Sequence, residues 1–278
     1  MPKTVKVGGF EIGAGKALAL IAGPCVIEGR ESAFHHATFL KEVADRVGIP
    51  LIYKSSYDKA NRTSLESYRG PGIEKGLKIL AEVREKLGVP ILTDVHEKEQ
   101  VALVKEVADV LQIPAFLCRQ TDFVIAVAQS GKAINVKKGQ FLAPWDVRNV
   151  VEKIVSTGNE QIMVTERGVS FGYNNLISDM RSLVVMRELG YPVVFDATHS
   201  LQLPGGLGKA SGGQRNFIAA LARAGVAVGV DVLFMEVHED PDRALSDGPN
   251  SLPLKEVEGL LKLLKEIDAT VKDERRLC

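Results

Sequence analysis

The chain has 278 residues, and its 35 Lys and Arg side chains balance its 35 Asp and Glu side chains. This balance excludes the net positive field that draws a protein to nucleic acid or to an anionic membrane, so any anion must be held by a local cluster of cations. A hydrophobic fraction of 45% is typical of a globular enzyme, and no apolar run approaches the roughly 20 residues of a transmembrane helix.

Residues 1–16 contain the stretch Val5–Ile12, whose pattern predicts a small β-hairpin before the main fold. The same residues lack the apolar core of a signal peptide, which favours a cytoplasmic location. The three cysteines, Cys25, Cys118 and Cys278, are far apart and odd in number. This pattern argues against a disulfide framework.

Eight apolar segments are predicted to be strands, and amphipathic helical patterns separate them. In chain order they are Ala17–Gly23, Leu51–Lys54, Ile91–Val95, Val110–Ile113, Ile134–Val136, Ile162–Thr165, Val193–Asp196 and Val232–Glu236. They are nearly continuous in apolar residues, as expected of strands that are buried on both faces. Eight β–α pairs without a linker predict one α/β domain over residues 1–278, a (β/α)8 TIM barrel with the N-terminal hairpin as an extension. An open doubly wound sheet is the alternative, although no G-x-G-x-x-G motif follows an early strand.

Three helices can be placed in more detail. Apolar residues at helical spacing predict the last helix: Val257, Leu260, Leu261 and Leu264. The same spacing predicts a helix after the sixth strand: Leu176, Met180, Leu183 and Val184. Asp146 is a predicted N-cap for a helix that runs through Ile154.

Two polar loops stand out. The stretch Lys54–Ser64 follows the second strand and carries three cations and several hydroxyl or amide donors without an apolar face. Such a loop indicates an anion site, most often for phosphate, and a solvated surface loop is the alternative. The Gly-rich run Pro204–Gly213 is not a P-loop, because Ala210 stands where Ser or Thr would follow Lys209. We interpret this run as a mobile lid.

The C-terminal ends of barrel strands carry the chemistry in this fold. The residues at or just after the predicted strand ends are Cys25, Lys54, Asp94, Gln112, Lys137, Lys138, Arg167, His199 and Glu236. Further cations lie on the loops nearby: Lys59, Arg62 and Arg119. This local surplus of cations indicates an anionic substrate with phosphate or carboxylate groups.

A second group combines a thiol, an imidazole and two carboxylates: Cys25, His199, Glu236 and Asp247. Their spacing matches no metal motif, but strands one, seven and eight are neighbours around a closed barrel. These groups suit Zn²⁺, Fe²⁺, Mn²⁺ or Co²⁺. The alternatives are a buried thiol that behaves as a small hydrophobe and a His–Glu hydrogen bond.

Six motifs occur in a fixed order: Ala22–Glu28, Lys54–Ser64, Gln112–Asp122, Asn135–Phe141, Thr165–Gly168 and Asp196–Ser200. Together they resemble the 3-deoxy-D-manno-octulosonate 8-phosphate synthase family, over about residues 17–264. The resemblance implies a homotetrameric (β/α)8 barrel that condenses phosphoenolpyruvate with arabinose 5-phosphate in lipopolysaccharide biosynthesis. The related 3-deoxy-D-arabino-heptulosonate 7-phosphate synthases use erythrose 4-phosphate, which is the alternative activity. They carry a Lys-Pro-Arg-Thr type motif where this chain has Lys59-Ala60-Asn61-Arg62.

The resemblance also implies roles for individual residues. Those implied to be catalytic are Lys54, Asp94, Lys137 and His199. Those implied to hold phosphoenolpyruvate are Lys54, Arg119, Lys137 and Arg167. Those implied to hold the sugar phosphate are Lys59, Asn61, Arg62 and Thr63, with Arg62 and Thr63 supplied by a neighbouring subunit. Further implied substrate contacts are Ser55, Gln112, Phe116, Lys138 and Gln202.

Cys25 stands where metal-independent members of the family have Asn, so the resemblance implies membership of the metal-dependent group. The implied ligands of the divalent metal ion are Cys25, His199, Glu236 and Asp247. Two other classes of function remain open at this point. They are a barrel aldolase that forms a Schiff base through a desolvated lysine, and a barrel that binds anions without catalysis.

Overall fold

The computed structural model describes residues 3–206 and 211–274. The strands in these residues are β1 (Thr4–Val7), β2 (Phe10–Gly13), β3 (Ala19–Gly23), β4 (Leu51–Lys54), β5 (Ile91–Asp94), β6 (Val110–Ile113), β7 (Ala133–Lys137), β8 (Ile162–Glu166), β9 (Val169–Ser170), β10 (Leu176–Ile177), β11 (Val193–Asp196), β12 (Gln202–Leu203), β13 (Gly212–Gly213), β14 (Val232–His238) and β15 (Leu252–Pro253). The α-helices are α1 (Arg30–Val47), α2 (Ile73–Leu87), α3 (Val101–Val107), α4 (Thr121–Ala128), α5 (Val147–Val155), α6 (Arg181–Arg187), α7 (Ile218–Val228) and α8 (Leu254–Glu274). None of these helices has the length and apolar character needed to cross a membrane.

Eight parallel strands form the central sheet, in the order β11-β8-β7-β6-β5-β4-β3-β14. A further parallel pairing joins β11 to β14 and closes the sheet into a barrel. All eight predicted strands are present, and their ends lie within two residues of the predicted ends. The (β/α)8 barrel is therefore confirmed, and the doubly wound alternative is wrong because the sheet has no open edge between β11 and β14.

The predicted N-terminal hairpin is confirmed as the pair β1–β2. Its side chains Val5, Val7 and Ile12 are buried in one apolar cluster with residues from every barrel strand. Its backbone lies against Pro90 and Pro192, which come shortly before β5 and β11. The hairpin therefore covers the amino-terminal end of the barrel and leaves the carboxyl end open for a site.

Inside the barrel, apolar side chains form a layer toward the amino-terminal ends of the strands, and polar side chains form a second layer at the carboxyl ends. Ile52 and Phe234 belong to the apolar cluster, and Lys54 and Glu236, two residues later on the same strands, face the same side because strand side chains alternate. The corresponding buried polar residues are Lys54, Asp94, Gln112, Asn135, Thr165, Asp196 and Glu236. This alternation places a ring of polar side chains at the carboxyl end.

Helices pack on the outside of the barrel through their apolar faces. The predicted C-terminal helix is confirmed as α8, whose side chains Val257, Leu260, Leu261 and Leu264 are buried. Helix α1 ends at Gly48, which has φ of 72° and donates its N–H to the Ala44 oxygen at 2.8 Å. This left-handed cap turns the chain directly into β4.

The helix predicted after the sixth strand is wrong at its start. Leu176 lies in β10, which pairs with β9, and α6 begins only at Arg181. Between β9 and β10 the chain turns at Gly172 and Asn174, both with positive φ, so Leu176 is held in a hairpin strand and not in a helix. Val184 is 46% exposed and therefore does not belong to the buried face.

Asp146 directly precedes α5, as predicted, but its side chain does not cap the helix. Asp146 ends a 3-10 turn that starts at Pro144, and its own backbone is helical. Its side chain makes no capping hydrogen bond. An N-cap needs extended backbone geometry to turn its side chain onto the first free N–H groups, and Pro144 begins the helical turn too early for this.

The predicted lid lies partly outside the described residues, which omit 207–210. On either side of these residues, β12 and β13 pair in antiparallel fashion, so the lid run is anchored at the carboxyl end of the barrel. Its motion stays a prediction. Cys278 also lies outside the described residues, whereas Cys25 and Cys118 are buried and free.

Candidate active site

The carboxyl ends of the barrel strands surround a cavity of about 410 Å³. This volume lies within the range of pockets that bind small molecules. Predicted site residues that line it are Lys54, Lys59, Asn61, Arg62, Thr63, Asp94, Gln112, Phe116, Lys137, Arg167, His199, Gln202 and Asp247. Cys25 and Glu236 lie behind this lining, in contact with Asp247 and His199 respectively.

The four predicted metal ligands converge although they are far apart in sequence. One donor atom each from Cys25, Glu236 and Asp247 lies within 4.8 Å of the other two. The Nε2 atom of His199 is 3.4 Å from a carboxylate oxygen of Glu236 and 3.6 Å from one of Asp247. Closure of the barrel produces this arrangement, because β14 lies between β3 and β11.

This donor set fits a divalent metal ion. Glu236 is fully buried, and its Oε2 atom has no hydrogen-bond partner, a costly arrangement unless a cation satisfies the oxygen. Burial raises the pKa of the Cys25 thiol, and the charges of Asp247 and Glu236 raise it further. A bound cation would reverse this effect by favouring the thiolate. A thiolate, an imidazole and two carboxylates suit a borderline metal rather than Mg²⁺ or Ca²⁺.

A carboxylate fixes the orientation of His199. Asp196 accepts a hydrogen bond from Nδ1 of the imidazole at 2.7 Å and another from the backbone N–H of His199 at 2.8 Å. Burial alone would lower the pKa of His199, but Asp196 and Glu236 raise it above its ordinary value. The contact with Asp196 leaves Nε2 directed at the other donors, as is common for metal-binding histidines.

Buried cations lie directly beside this centre. The ammonium of Lys54 is 3.3 Å from Glu236 and 3.8 Å from Asp94, and its side chain is 1% exposed. Lys59 lies 4.0 Å from the same Glu236 oxygen. The positive charges therefore compensate the carboxylates, and an anionic substrate would be held by cations that are already in place.

Burial strongly affects Lys137, another lysine of the cavity. It forms an ion pair with Asp196, and its ammonium lies 3.4 Å from the centre of the Phe234 ring. Burial lowers the pKa of Lys137 to about 8, although Asp196 acts in the opposite direction. This ammonium therefore begins to lose its proton at mildly alkaline pH.

Arg167 offers a free donor to the cavity. Its Nη2 atom donates to Gln202 at 2.7 Å, and Gln202 donates in turn to Asp247 at 3.1 Å. Its Nη1 atom is buried without a hydrogen-bond partner. A guanidinium held at one end and open at the other is suited to bind a carboxylate or a phosphate.

Asp94 is held in its ionised form. The hydroxyl of Ser56 donates to its carboxylate at 2.8 Å, and Nε2 of His96 lies 3.3 Å away. Burial alone would raise the pKa of Asp94, but the charges of Lys54 and Lys59 outweigh it and hold that pKa well below its ordinary range. Asp94 therefore accepts hydrogen bonds at the cavity wall and is a weak base.

Arg62 and Thr63 line the cavity of their own chain. The loop after β4 folds back over its own barrel, and its base is tied by the Lys59 N–H to the Arg69 oxygen at 2.7 Å. The expectation that both residues also reach the substrate of a neighbouring subunit stays a prediction.

Three predicted substrate contacts do not line the cavity. The hydroxyl of Ser55 donates to the Pro24 oxygen at 3.0 Å, and the ammonium of Lys138 donates to the Leu142 oxygen at 3.1 Å. Ser55 directly follows Lys54, and Lys138 directly follows Lys137. Both preceding lysines face the barrel interior, and side chains alternate along a strand, so Ser55 and Lys138 face away from the interior. Arg119 is exposed in a separate surface depression.

Residues that sequence reasoning left without a role also line the cavity, among them His96, Gln140 and Ser246. His96 lies two residues after Asp94, and Gln140 falls within the motif Asn135–Phe141, so position alone offered a signal for both. Oε1 of Gln140 is buried without a partner. Ser246 directly precedes Asp247, and its contacts arise only in the folded chain.

Comparison with known proteins shows the family to which the chain is similar. A model of the DAHP synthetase I family matches residues 3–273. The chain is 62% identical to the 2-dehydro-3-deoxyphosphooctonate aldolase of Trichlorobacter lovleyi, over 98% of this chain and all of that protein. It is also 65% identical to the protein of the same name from Methylococcus capsulatus, over 95% of this chain and 93% of that protein.

The relative from Geotalea uraniireducens, with the same name, is 62% identical over 98% of this chain and all of that protein. The name denotes the same activity as 3-deoxy-D-manno-octulosonate 8-phosphate synthase. Identity at this level, over nearly the full length, is consistent with the motifs, the closed barrel and the cation-lined cavity. The chain therefore belongs to the DAHP synthetase I family, within its branch of 2-dehydro-3-deoxyphosphooctonate aldolases.

Proposed function

We propose that the chain catalyses the condensation of phosphoenolpyruvate, arabinose 5-phosphate and water to 3-deoxy-D-manno-octulosonate 8-phosphate and inorganic phosphate, a step of lipopolysaccharide biosynthesis. The observation that carries the proposal is the near full-length identity to relatives that bear the name of this activity. The cavity supports it, because buried cations lie beside a metal-donor cluster. The relatives do not favour the erythrose 4-phosphate alternative.

The bonds that form and break in this condensation determine where the site must stabilise charge. Carbon 3 of phosphoenolpyruvate forms a bond to the aldehyde carbon, and the aldehyde oxygen takes up a proton. Water adds to carbon 2 and loses a proton, and the phosphate group then leaves from carbon 2. Negative charge develops on the aldehyde oxygen and positive charge on carbon 2, so fixed charges around both atoms would lower the barrier.

The charged residues divide between two subsites. Lys54, Lys137 and Arg167 are proposed to hold the phosphate and carboxylate of phosphoenolpyruvate, with Gln112 and Gln202 at the same wall. The residues of the loop after β4, with Phe116, are proposed to hold arabinose 5-phosphate: Lys59, Asn61, Arg62 and Thr63. Fixing the two reacting carbons together is worth up to roughly 7–11 kcal/mol in favourable cases.

Cys25, His199, Glu236 and Asp247 are proposed to hold a divalent ion, with Zn²⁺, Fe²⁺, Mn²⁺ and Co²⁺ as candidates. When bound, such an ion supplies Lewis-acid polarisation to a substrate oxygen or to water. Asp196 would keep His199 oriented. Asp94, as an ionised acceptor, would orient a hydroxyl or water beside Lys54.

The substrate is the first prediction. We expect phosphate release from phosphoenolpyruvate to require an aldose phosphate, with kcat/KM for arabinose 5-phosphate above that for erythrose 4-phosphate. The motif Lys59-Ala60-Asn61-Arg62 replaces the Lys-Pro-Arg-Thr type motif of the heptulosonate enzymes. A phosphate-release assay with both sugars measures this, and equal or reversed preference would contradict it. Borohydride added with the substrates should leave activity intact, because the proposed reaction has no Schiff base.

The pH dependence of binding is the second prediction. Lys137 must be an ammonium to hold an anion, and burial lowers its pKa to about 8 in the free protein. We therefore expect kcat/KM for phosphoenolpyruvate to fall as pH rises above about 8. The corresponding fall in kcat should come at higher pH, because the bound anion stabilises the ammonium.

Steady-state rates between pH 6 and pH 10 test this assignment. The Lys137→Arg variant is the matched control, because its guanidinium keeps its charge over the whole range. The fall in kcat/KM should move to higher pH in that variant. An unchanged profile would show that another group causes the titration.

We further propose a homotetramer of single-domain subunits in the cytoplasm. Apolar side chains are exposed around the loops after β7 and β8: Phe141, Trp145, Phe171, Tyr173 and Ile177. An exposed apolar patch of this kind commonly marks a subunit interface, and the free thiols of Cys25 and Cys118 suit a reducing compartment. A monomeric mass by light scattering would contradict the assembly.

A further inference from the structure

The loop after β4 reaches across the cavity to the metal-donor cluster. We call residues 58–69 the Arg62 arm. Its two ends are joined by an ion pair between Arg69 and Asp58, with distances of 2.8 and 2.5 Å. Near its tip, Nη1 of Arg62 donates to the Ser246 hydroxyl at 2.7 Å and Nη2 to the Leu245 oxygen at 3.3 Å. The arm is thereby fastened to the loop that carries Asp247.

Ser246 contacts the metal-donor cluster with the same oxygen atom. Its side chain is buried, and its Oγ lies 3.0 Å from Sγ of Cys25. Oδ2 of Asp247, the next residue, lies 3.5 Å from that sulfur. A single hydroxyl thus joins the guanidinium of the arm to the thiol of the metal centre.

The direction of the hydrogen bond between Ser246 and Cys25 depends on whether the sulfur carries a proton. A hydroxyl has one proton to donate and two lone pairs to accept with. The single S–H of Cys25 has two acceptors in reach, the Ser246 hydroxyl at 3.0 Å and the Asp247 carboxylate at 3.5 Å, whereas a metal-bound cysteine is a thiolate with no proton. Ser246 would then donate to the sulfur and still accept from Arg62. The aligned chain from guanidinium to hydroxyl to thiolate is stronger, because each bond polarises the next.

The backbone conformation of Asp247 is uncommon, so the loop that carries it depends on its contacts to maintain that conformation. Asp247 has φ of 49°, a left-handed conformation that is uncommon for a residue other than Gly. The preceding Leu245 is held from two sides, by Glu28, which accepts its N–H at 2.7 Å, and by Arg62 at its carbonyl oxygen. Whatever fixes Arg62 therefore also fixes the backbone that presents Asp247.

Arg62 can hold Ser246 and an anion together. Its Nε atom is buried and has no hydrogen-bond partner, and Arg62 lines the cavity. A phosphate can accept from Nε while Nη1 stays on Ser246, since a guanidinium has five N–H donors. Binding of the phosphate and the contact with Ser246 therefore do not compete.

We propose that Ser246 is a positioning residue that couples the metal centre to the phosphate-binding arm, so that a divalent metal ion and the sugar phosphate each raise the affinity for the other. The inference rests on the proposed function, in which Arg62 meets the phosphate of arabinose 5-phosphate. Because coupling between two ligands is reciprocal, the same factor must appear in both binding constants.

The test measures binding alone. Metal-free protein is titrated with Co²⁺, followed by the thiolate-to-cobalt charge-transfer absorption, with and without arabinose 5-phosphate. Calorimetry gives the affinity for the sugar phosphate with and without Co²⁺. In the unaltered protein we expect each ligand to raise the affinity for the other by at least about fivefold, the lower end of typical coupling.

Two variants separate the explanations. Ser246→Ala keeps all four ligands and should still bind Co²⁺, but its coupling factor should fall close to one. Ser64→Ala is the matched control, because it removes a hydroxyl of the same arm that contacts only the nearby Glu66 N–H among the contacts described for it. It should keep the coupling of the unaltered protein.

The outcomes are distinct. Unaltered coupling in Ser246→Ala, or equal loss in Ser64→Ala, would overturn the inference and leave the proposed function standing. Negative or absent coupling in the unaltered protein would overturn the inference as well. Failure of arabinose 5-phosphate to bind even with Co²⁺ present would overturn both.

Discussion

Replacement of Cys25 by alanine is expected to weaken metal binding by at least about 100-fold and to remove nearly all turnover. Loss of a residue that merely supports a ligand costs 10–100-fold in affinity, so loss of the ligand itself should cost no less. The thiolate is the softest of the four donors, and its removal should affect Zn²⁺ and Co²⁺ more than Mn²⁺. Chelator competition measures the affinity, and elemental analysis verifies the metal-free state.

Cys118→Ala is the matched control for this change. Cys118 is also buried and free, but it lies outside the metal-donor cluster found in the described residues. We expect a modest loss of stability from the small cavity and unchanged metal affinity. If verified metal-free protein keeps its turnover, Cys25 is a core thiol and the metal assignment fails.

Cys25→Asn is the more informative substitution. Asn stands at this position in the metal-independent members of the family that the motifs resemble, and an amide can hydrogen-bond across the space between the carboxylates. We expect weak activity that chelators no longer affect. Activity that still requires added metal would show that the three remaining ligands suffice.

Lys137→Met is expected to lower kcat/KM for phosphoenolpyruvate by about 10²–10³, the usual effect of losing one preorganised donor to developing charge. Lys137 and Lys138 are adjacent in sequence and nearly equally buried, yet only Lys137 lines the cavity. Substitution of each lysine in turn therefore distinguishes an ammonium that binds the substrate from an ammonium that stabilises the fold.

Lys138→Met should behave in the opposite way. Its ammonium lies 3.5 Å from Glu166 and donates to Leu142. Glu166 keeps hydrogen bonds from Gly168 and Ser182 after the substitution. We expect the free energy of unfolding to fall by about 1–3 kcal/mol, with little change in kcat/KM. Thermal denaturation and steady-state kinetics on both variants test this, and a large kinetic loss in Lys138→Met would contradict the assignment.

The sequence by itself was enough to predict the barrel, because the patterns that indicate its strands and helices lie within short segments of the chain. A strand that is buried on both faces is nearly continuous in apolar residues, as Val232–Met235 is, and an outer helix repeats its apolar residues at helical spacing, as α8 does. Local patterns failed where short-range turns intervened. The hairpin of β9 and β10 interrupted the spacing that began at Leu176, and the turn at Pro144 displaced the cap expected at Asp146.

The sequence also indicated most of the candidate site, since polar residues at the ends of parallel strands must meet at one end of a barrel. It did not separate Lys137 from Lys138 or Lys54 from Ser55. Which member of each pair faces inward depends on the phase of the strand within the closed sheet. Only the tertiary structure fixes that phase, by placing Ile52 and Ala133 in the inner apolar layer.

The tertiary structure alone decided which distant groups share a contact. Cys25, Arg62 and Ser246 lie in different loops of the chain, and no spacing rule relates them. They meet because closure of the barrel brings the ends of β3, β4 and β14 side by side. Contacts of this kind follow from the sum of many packing interactions, so the sequence supplies the side chains and the closed sheet brings them together.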